Sequence, residues 1–481
     1  MFEFAEAAVQ GALDAGATYA DARAMVTGSE GLGARNGVLE RLSQNESAGV
    51  GVRALIGSSW GFFATPDPSV AAAATAAGRE AAAIAKASAV VAGPPVELAD
   101  VGVAQAHWDS GWEEHPFEVP LSERGDLLVA VTATMKAVPG VGVASGHMHA
   151  WDTEKWFVSS QGHRISQHLV ECGTSIEATA VGEAETQRRS YGGIGGRWGT
   201  RGYELVRDAD LAGNAQRVGE EAVELLSADE CPSGVTDLIL GREQLALQIH
   251  ESVGHAIELD RILGWEAAFA GTSFLDLAEL GRFRYGSELM NITADATLPG
   301  ALGSFGYDDE GTPAQRVDIV KDGIWVGVLS GRDSAQVAGL PPGGMVRGDG
   351  WNRLPMVRMT NVGLVPGNSS LEEMIAATDD GVYMETNRSW SIDDKRLNFQ
   401  FGCERGHEVK QGKLGRLLRN PTYTGITPQF WASLDMLGGP DEWMFWGTPN
   451  CGKGQPQQFG HTGHPSVPGR FRGVRVGVRS T

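Results

Sequence analysis

Apolar residues at near-helical spacing, Phe2, Phe4, Ala8, Val9, Ala12 and Leu13, open the chain and stop at Gly16, which predicts a helix with a glycine end. Four runs follow, TYADARAMV, GVLERLSQNES, GVGVRALIG and SWGFFAT. They are separated by Gly, Ser and Asn and predict a meander of short antiparallel strands. Alanine-rich residues 69–90 predict a second helix and 127–138 a third, with a Pro-rich irregular stretch over 91–120. Strand-like alternation resumes from Val141 to about residue 182, and helical periodicity over 207–228 ends at ADECPSG (228–234), a predicted hinge.

Beyond the hinge the pattern changes. A strand, VTDLILG, leads into an apolar helix over 243–259, and a long series of strands with turns at DDEG, KDG and DDG follows. VDIVKDGIWVGVLS predicts a hairpin about Lys-Asp-Gly. No internal repeat is visible. The expectation is an α+β protein: an N-terminal domain (1–230) with a mostly antiparallel sheet flanked by helices, and a mainly-β C-terminal domain (231–481) enclosing one buried helix.

With 481 residues, 42% of them hydrophobic and 21% charged, the chain can build more than one ordinary soluble core. Its formal charge of -21 argues against a surface that tracks phosphates, so direct nucleic-acid binding is not expected. The arginines between Arg470 and Arg479 read as a charged C-terminal strand. The first residues carry acids and no basic region, and no run of about 18 apolar residues occurs, so neither a secretory signal nor a membrane span is expected. A cytoplasmic protein follows, whose four cysteines, Cys172, Cys231, Cys403 and Cys451, stay reduced.

The predicted helix carries the chemistry. LALQIHESVGHAIELD (245–260) places His250, Glu251 and His255 among aliphatic residues. On a regular helix, histidines at i and i+5 lie roughly 140° apart and cannot share an ion. One π-type turn would bring them back towards one face, and Gly254 is the place where the backbone could yield. A histidine, an acid and a second histidine at these positions arise by chance roughly 0.03 times per chain of this composition.

A catalytic zinc takes three protein ligands and keeps one position open. Cys451, in the Gly/Pro-rich GTPNCGKGQP, is the leading third candidate, with Cys403, His461 and His464 as rivals. Glu251, beside a ligand, is placed to take a proton from a water at the metal. Glu258 and Asp260 fall one turn on and are expected to orient the histidines.

HESVGHAIELD, DATLPGALGSFGYDDEGTPAQRVDIVKDGIWVG, LPMVRMTN (354–361) and NCGKGQP, in that order, resemble the TldD/PmbA family of zinc metallopeptidases, also called modulators of DNA gyrase. The resemblance is dense from about residue 235 to 457. It implies zinc held by His250, His255 and Cys451 with Glu251 as base, in the catalytic branch rather than the sister branch that lacks these ligands. It further implies a homodimer or a heterodimer with a sister chain, and short or unfolded peptides lying extended in an enclosed channel as substrates. The alternative is a non-catalytic partner subunit that shapes a shared channel. Arg358 and Asn361 of LPMVRMTN stand as candidates for substrate contact. The segment 403–450, with ITPQFWASL and DEWMFWG, departs from the family pattern.

Three other motifs point elsewhere. GTPNCGKG also spells a phosphate loop, but Gly454 stands where Ser or Thr would hold magnesium. His147 and His149 share a strand face without an acid beside them in sequence. SYGGIGGRWG (190–199) lacks the context of a dinucleotide site and reads as a loop bordering the channel.

Overall fold

Two long strands, Tyr19–Arg35 and Val38–Ile56, run straight through the Gly, Ser and Asn positions that break the sequence into short runs. Tyr19–Arg35 is paired along its length with Val38–Ile56 and, from Asp21 to Arg35, with Val141–Ser159. Backbone groups at its glycines are therefore satisfied on both sides, which offsets a cost of about 0.5–1 kcal/mol per glycine. Bulk from the C-terminal half adds a reason for small residues: a Cβ at Gly49 would stand 2.3 Å from the Trp351 ring.

In the computed structural model, which describes residues 1–66, 70–91, 93–193, 195–269 and 271–477, these strands belong to a mostly antiparallel sheet. Its order is Ser59–Thr65, Val38–Ile56, Tyr19–Arg35, Val141–Ser159, Arg164–Val181 and Gln105–Asp109, the last pair parallel. Helices Phe2–Asp14 and Ala71–Ser88 cover one part of it through an alanine-rich core that includes Ala8, Ala12, Ala77 and Ala81. Helices Leu121–Ala137 and Leu211–Glu224 cover another, around Leu128, Met135 and Val218. The third helix begins six residues before its predicted start, directly after Pro120. The helical stretch over 207–228 is broken at Asp210, whose φ of 46° ends one short helix while its carboxylate accepts the Gly213 N–H at 3.1 Å to start the next. Residue 69 of the second predicted helix lies outside the described residues.

In the C-terminal half, Asp380–Ile392, Gly234–Leu240, Gly469–Val476, Thr422–Ile426 and Asn398–Lys410 pair in that order. The first also pairs with the last, so the ring closes into a barrel. The predicted hairpin forms between Arg316–Lys321 and Ile324–Trp325 through Asp322 and Gly323, both at positive φ (49° and 76°). The chain is thus α+β, with a helix-flanked antiparallel sheet first and a barrel-containing, β-rich half second. Among the described residues no helix is long and apolar enough to cross a membrane.

Buried ion pairs fasten the halves together. Asp309 accepts Arg23 on one oxygen and Lys155 on the other (2.6 Å for the lysine). Arg53 meets Asp21 at 2.6 Å and Glu310 at 3.2 Å, and Arg189 reaches Glu385 and Glu404. The C-terminal arginines are likewise committed: Arg470 and Arg472 both pair with Asp435. Arg479 lies outside the described residues.

Candidate active site

The helix that follows strand Gly234–Leu240 is α-helical only from Arg242 to Ile249. From His250 to Gly254 it becomes a π-turn in which the His255 N–H donates to the His250 carbonyl at 3.2 Å. The rings of His250 and His255, which an α-helix would hold apart, meet edge to face with centroids 4.9 Å apart. Neighbours hold the widened turn. The Tyr285 hydroxyl donates to the Ser252 carbonyl at 2.6 Å, and Trp431 Nε1 donates to Ser252 Oγ at 3.0 Å. Gly254 contributes by size rather than by backbone freedom, since a Cβ there would stand 2.1 Å from Met359 Sδ.

Cys451 comes from far along the chain. It sits on strand Met444–Lys453, opposite Gly460 in a two-stranded hairpin with Gln458–Ser466, just after a break in register at Thr448. Its Sγ lies 3.5 Å from His255 Nε2, and one ligand atom from each of His250, His255 and Cys451 falls within 4.8 Å of the others. All three residues are buried.

Hydrogen bonds fix which ring nitrogen of each histidine is free. His464 Nδ1 donates to the Val362 carbonyl at 2.9 Å, so its Nε2 accepts the His250 Nδ1 proton at 2.7 Å. His255 Nδ1 donates to Glu258 at 3.0 Å. Both rings therefore direct an Nε2 lone pair away from these partners. Burial depresses the pKa of both imidazoles and keeps them neutral.

Burial also opposes ionisation of the Cys451 thiol. The Arg358 guanidinium is the largest cause acting the other way, and the thiol sits below its ordinary value. The other cysteines go the opposite way: burial pushes Cys172 up to about 12, Cys231 up to about 11, and Cys403 well above the usual range. Cys403 packs in the apolar core, and His461 bonds to Glu171 at 2.9 Å on a different cavity.

Glu258 is fully buried, and burial disfavours its charge. Lys453, then His255 and Arg261, hold its carboxyl well below the usual range nonetheless. Lys453 also donates to both oxygens of Asp260 at 2.7 and 2.8 Å. Burial still pushes Asp260 up to about 6, because it shares that lysine with Glu258. Asp260 thus reaches the histidines only through Lys453 and Glu258. With its ammonium enclosed by two carboxylates, Lys453 is not available to a phosphate.

Glu251 accepts a hydrogen bond from Arg396 Nη1 at 2.7 Å. The two border a cavity of ≈560 Å³ that also touches His250, His255 and Cys451. Trp390 and Trp446 flank it, and Gly192, Gly193, Gly195 and Gly196 of the glycine-rich loop edge it. Ile194 in that loop lies outside the described residues.

Arg358 and Asn361 lie elsewhere. Arg358 donates to the Cys451 carbonyl and borders a second cavity, of ≈220 Å³. Asn361 is wholly buried between the Gly303 N–H and the Asp295 carbonyl, and neither residue borders the cavity beside Glu251. Arg396 and His464 had no sequence signal as partners. Arg396 comes from a polar turn without a motif, and His464 stands 214 residues from the ring it binds.

A second histidine–carboxylate group, His115, Asp152 and His168, is a hydrogen-bonded clamp. Asp152 accepts from His115 Nε2 at 3.1 Å and His168 Nε2 at 2.7 Å. The Phe117 N–H donates to His115 Nδ1 at 3.2 Å, so the other nitrogen of that ring must carry its proton. His147 faces Ser175 at 3.1 Å.

Similarity to known proteins runs along the whole chain. Models of the PmbA/TldA metallopeptidase domain 1, central domain and C-terminal domain match residues 20–87, 114–228 and 233–477. A metalloprotease of Methanothermobacter thermautotrophicus is 29% identical over 465 residues, 95% of each chain. A zinc metalloprotease TldD homolog of Saccharolobus solfataricus is 27% identical over 206 residues, 43% of this chain and 44% of its own. The solved structure of TldE from Thermococcus kodakarensis shares the fold with a TM-score of 0.71 at 15% identity, covering 99% of this chain and 100% of that one. By these matches the chain belongs to the PmbA/TldD family of metallopeptidases.

Proposed function

We propose that this metallopeptidase is zinc-dependent, that His250, His255 and Cys451 hold the ion, and that Glu251 is the base that cleaves short or unfolded peptides. The observation that carries the reading is the convergence of two imidazoles and one thiol within 4.8 Å, beside a cavity large enough for a peptide. Two nitrogens and a sulfur suit zinc, and hard-oxygen cations such as magnesium are disfavoured. Bound there, zinc supplies Lewis acidity, lowering the pKa of a coordinated water and polarising a carbonyl.

The residues of the chain do the remainder. Glu251 takes a proton from the attacking water and delivers it to the departing amine. Arg396 holds that carboxylate in one orientation through its bond at 2.7 Å. His464 and Glu258 fix the ring orientations of the two histidines. Trp390, Trp446 and the glycine loop exclude water from a chain lying in the cavity. A second copy or a TldE-like sister completes a dimer, on the strength of the shared fold with TldE.

The test is Glu251→Gln. Metal is retained at the wild-type ratio while cleavage of an unstructured peptide falls by 10²-fold or more. Unchanged cleavage removes Glu251 from the role of base.

A further inference from the structure

Helix Arg242–Ile249 presents one face to the larger cavity. Glu243, Ala246, Leu247, His250 and Glu251 all border it, at the spacing i, i+3, i+4, i+7, i+8. Glu243 therefore lies two turns, about 10 Å, from His250 along the same wall. A peptide extended along that wall covers the distance in about three residues.

The charges at the two ends differ. Near His250, Glu251 is answered by Arg396, which borders the same cavity. At the far end, Glu243 accepts the Thr386 hydroxyl at 2.6 Å, and no cationic side chain among the described residues bordering the cavity stands opposite it. Arg189, behind Thr386, is already committed to Glu221, Glu385 and Glu404. An aromatic ring stands beside the carboxylate: a Cβ at Gly193 would lie 3.3 Å from the Trp446 ring and 3.9 Å from Glu243 Oε2. A carboxylate and an indole around one point, beneath a loop of glycines, form a receptor for a positive charge. Burial raises the Glu243 carboxyl from its ordinary value, against the Thr386 hydrogen bond, Arg189 and the neighbouring Arg242, which itself reaches Glu442 at 3.9 Å. An arriving cation would compensate that desolvation.

We propose that Glu243, with Trp446, determines specificity by receiving a cationic group of the substrate, either its α-ammonium or a Lys or Arg side chain, about three residues from the bond that is cut. This role rests on the peptidase reading above. It also makes a claim about binding that does not require turnover.

Two measurements on the full-length protein test it. In the first, zinc-loaded enzyme digests an unfolded protein and the cleaved bonds are mapped by mass spectrometry. Cuts are expected to cluster about three residues from Lys, Arg or a free N-terminus. The clustering should disappear in Glu243→Gln, which keeps the hydrogen bond from Thr386, and shift towards acidic residues in Glu243→Lys.

In the second, calorimetry follows binding of synthetic peptides to the non-cleaving Glu251→Gln protein. Free and acetylated N-termini are compared, and lysine with norleucine. Loss of the recognised charge should weaken binding at least about tenfold, and the additional Glu243→Gln change should abolish that difference. The acetylation pair and the lysine pair tell the two sources of charge apart. Binding indifferent to charge, or a charge preference that survives Glu243→Gln, overturns the assignment. Charge-dependent binding without any cleavage by the zinc-loaded enzyme would leave Glu243 in place and remove the peptidase reading instead.

Discussion

His464 Nε2 accepts the Nδ1 proton of His250 at 2.7 Å, across 214 residues of chain. Because His464 is itself fixed by the Val362 carbonyl at 2.9 Å, the bond sets both the orientation of the His250 ring and the nitrogen left for a metal. Replacing His464 by Ala should weaken zinc binding by about 10–100-fold while His250 remains in place. Competition with a chelator of known affinity measures this, and unchanged affinity would show that His464 only fills space.

In the proposed mechanism Arg396 acts on Glu251 rather than on the ion. Arg396→Gln removes the charge-assisted bond to Glu251, and kcat should fall by about 10–100-fold with zinc content unaltered. Arg396→Lys should restore part of the rate. Loss of metal in parallel with activity would place Arg396 in a structural role.

The sulfur is specific. Cys451→Ala should abolish stoichiometric zinc. Cys403→Ala should not, because the Cys403 thiol is buried in the apolar core and pushed well above its usual range. Atomic absorption on the two variants separates the cases, and metal retained in Cys451→Ala would transfer the ligand role to another residue.

Acid should loosen the junction between the two halves. Burial disfavours the Asp309 carboxylate, but Arg23 and then Lys155 outweigh it and hold the carboxyl well below its ordinary value. A depressed folded pKa contributes stability that is present above the unfolded value of about 3.9 and is lost as pH falls below it. Asp309→Asn should therefore cost about 3–5 kcal/mol at neutral pH, and the gap to wild type should narrow as the pH drops through about 4. Denaturant titrations at pH 7 and at about pH 2.5, well below the unfolded value, check this, and a gap that stays the same at both would contradict the ion-pair account.

The wide turn was legible because i, i+5 spacing permits a shared site in no other helical geometry, and HESVG shows that turn. The reason for Gly254 was not legible: it accommodates Met359, a contact 105 residues away that no local pattern encodes. The strands were legible as alternation, but their lengths were not. The glycines in Tyr19–Arg35 read as breaks until pairing on both edges is known. At the site, residues joined by a local spacing could be picked out, whereas Arg396, His464 and Glu243 depend on which strands and turns meet. Arg358 and Asn361 stood out in a motif that folds away from the cavity beside Glu251, a placement the sequence alone does not encode.

The most direct measurement is a crystal structure of the zinc-loaded protein with anomalous data collected on both sides of the zinc edge. One anomalous peak is expected, bonded to His250 Nε2, His255 Nε2 and Cys451 Sγ and open towards the cavity beside Glu251. Zinc bound elsewhere, or no peak among these three atoms in protein that cleaves peptides, would contradict the account.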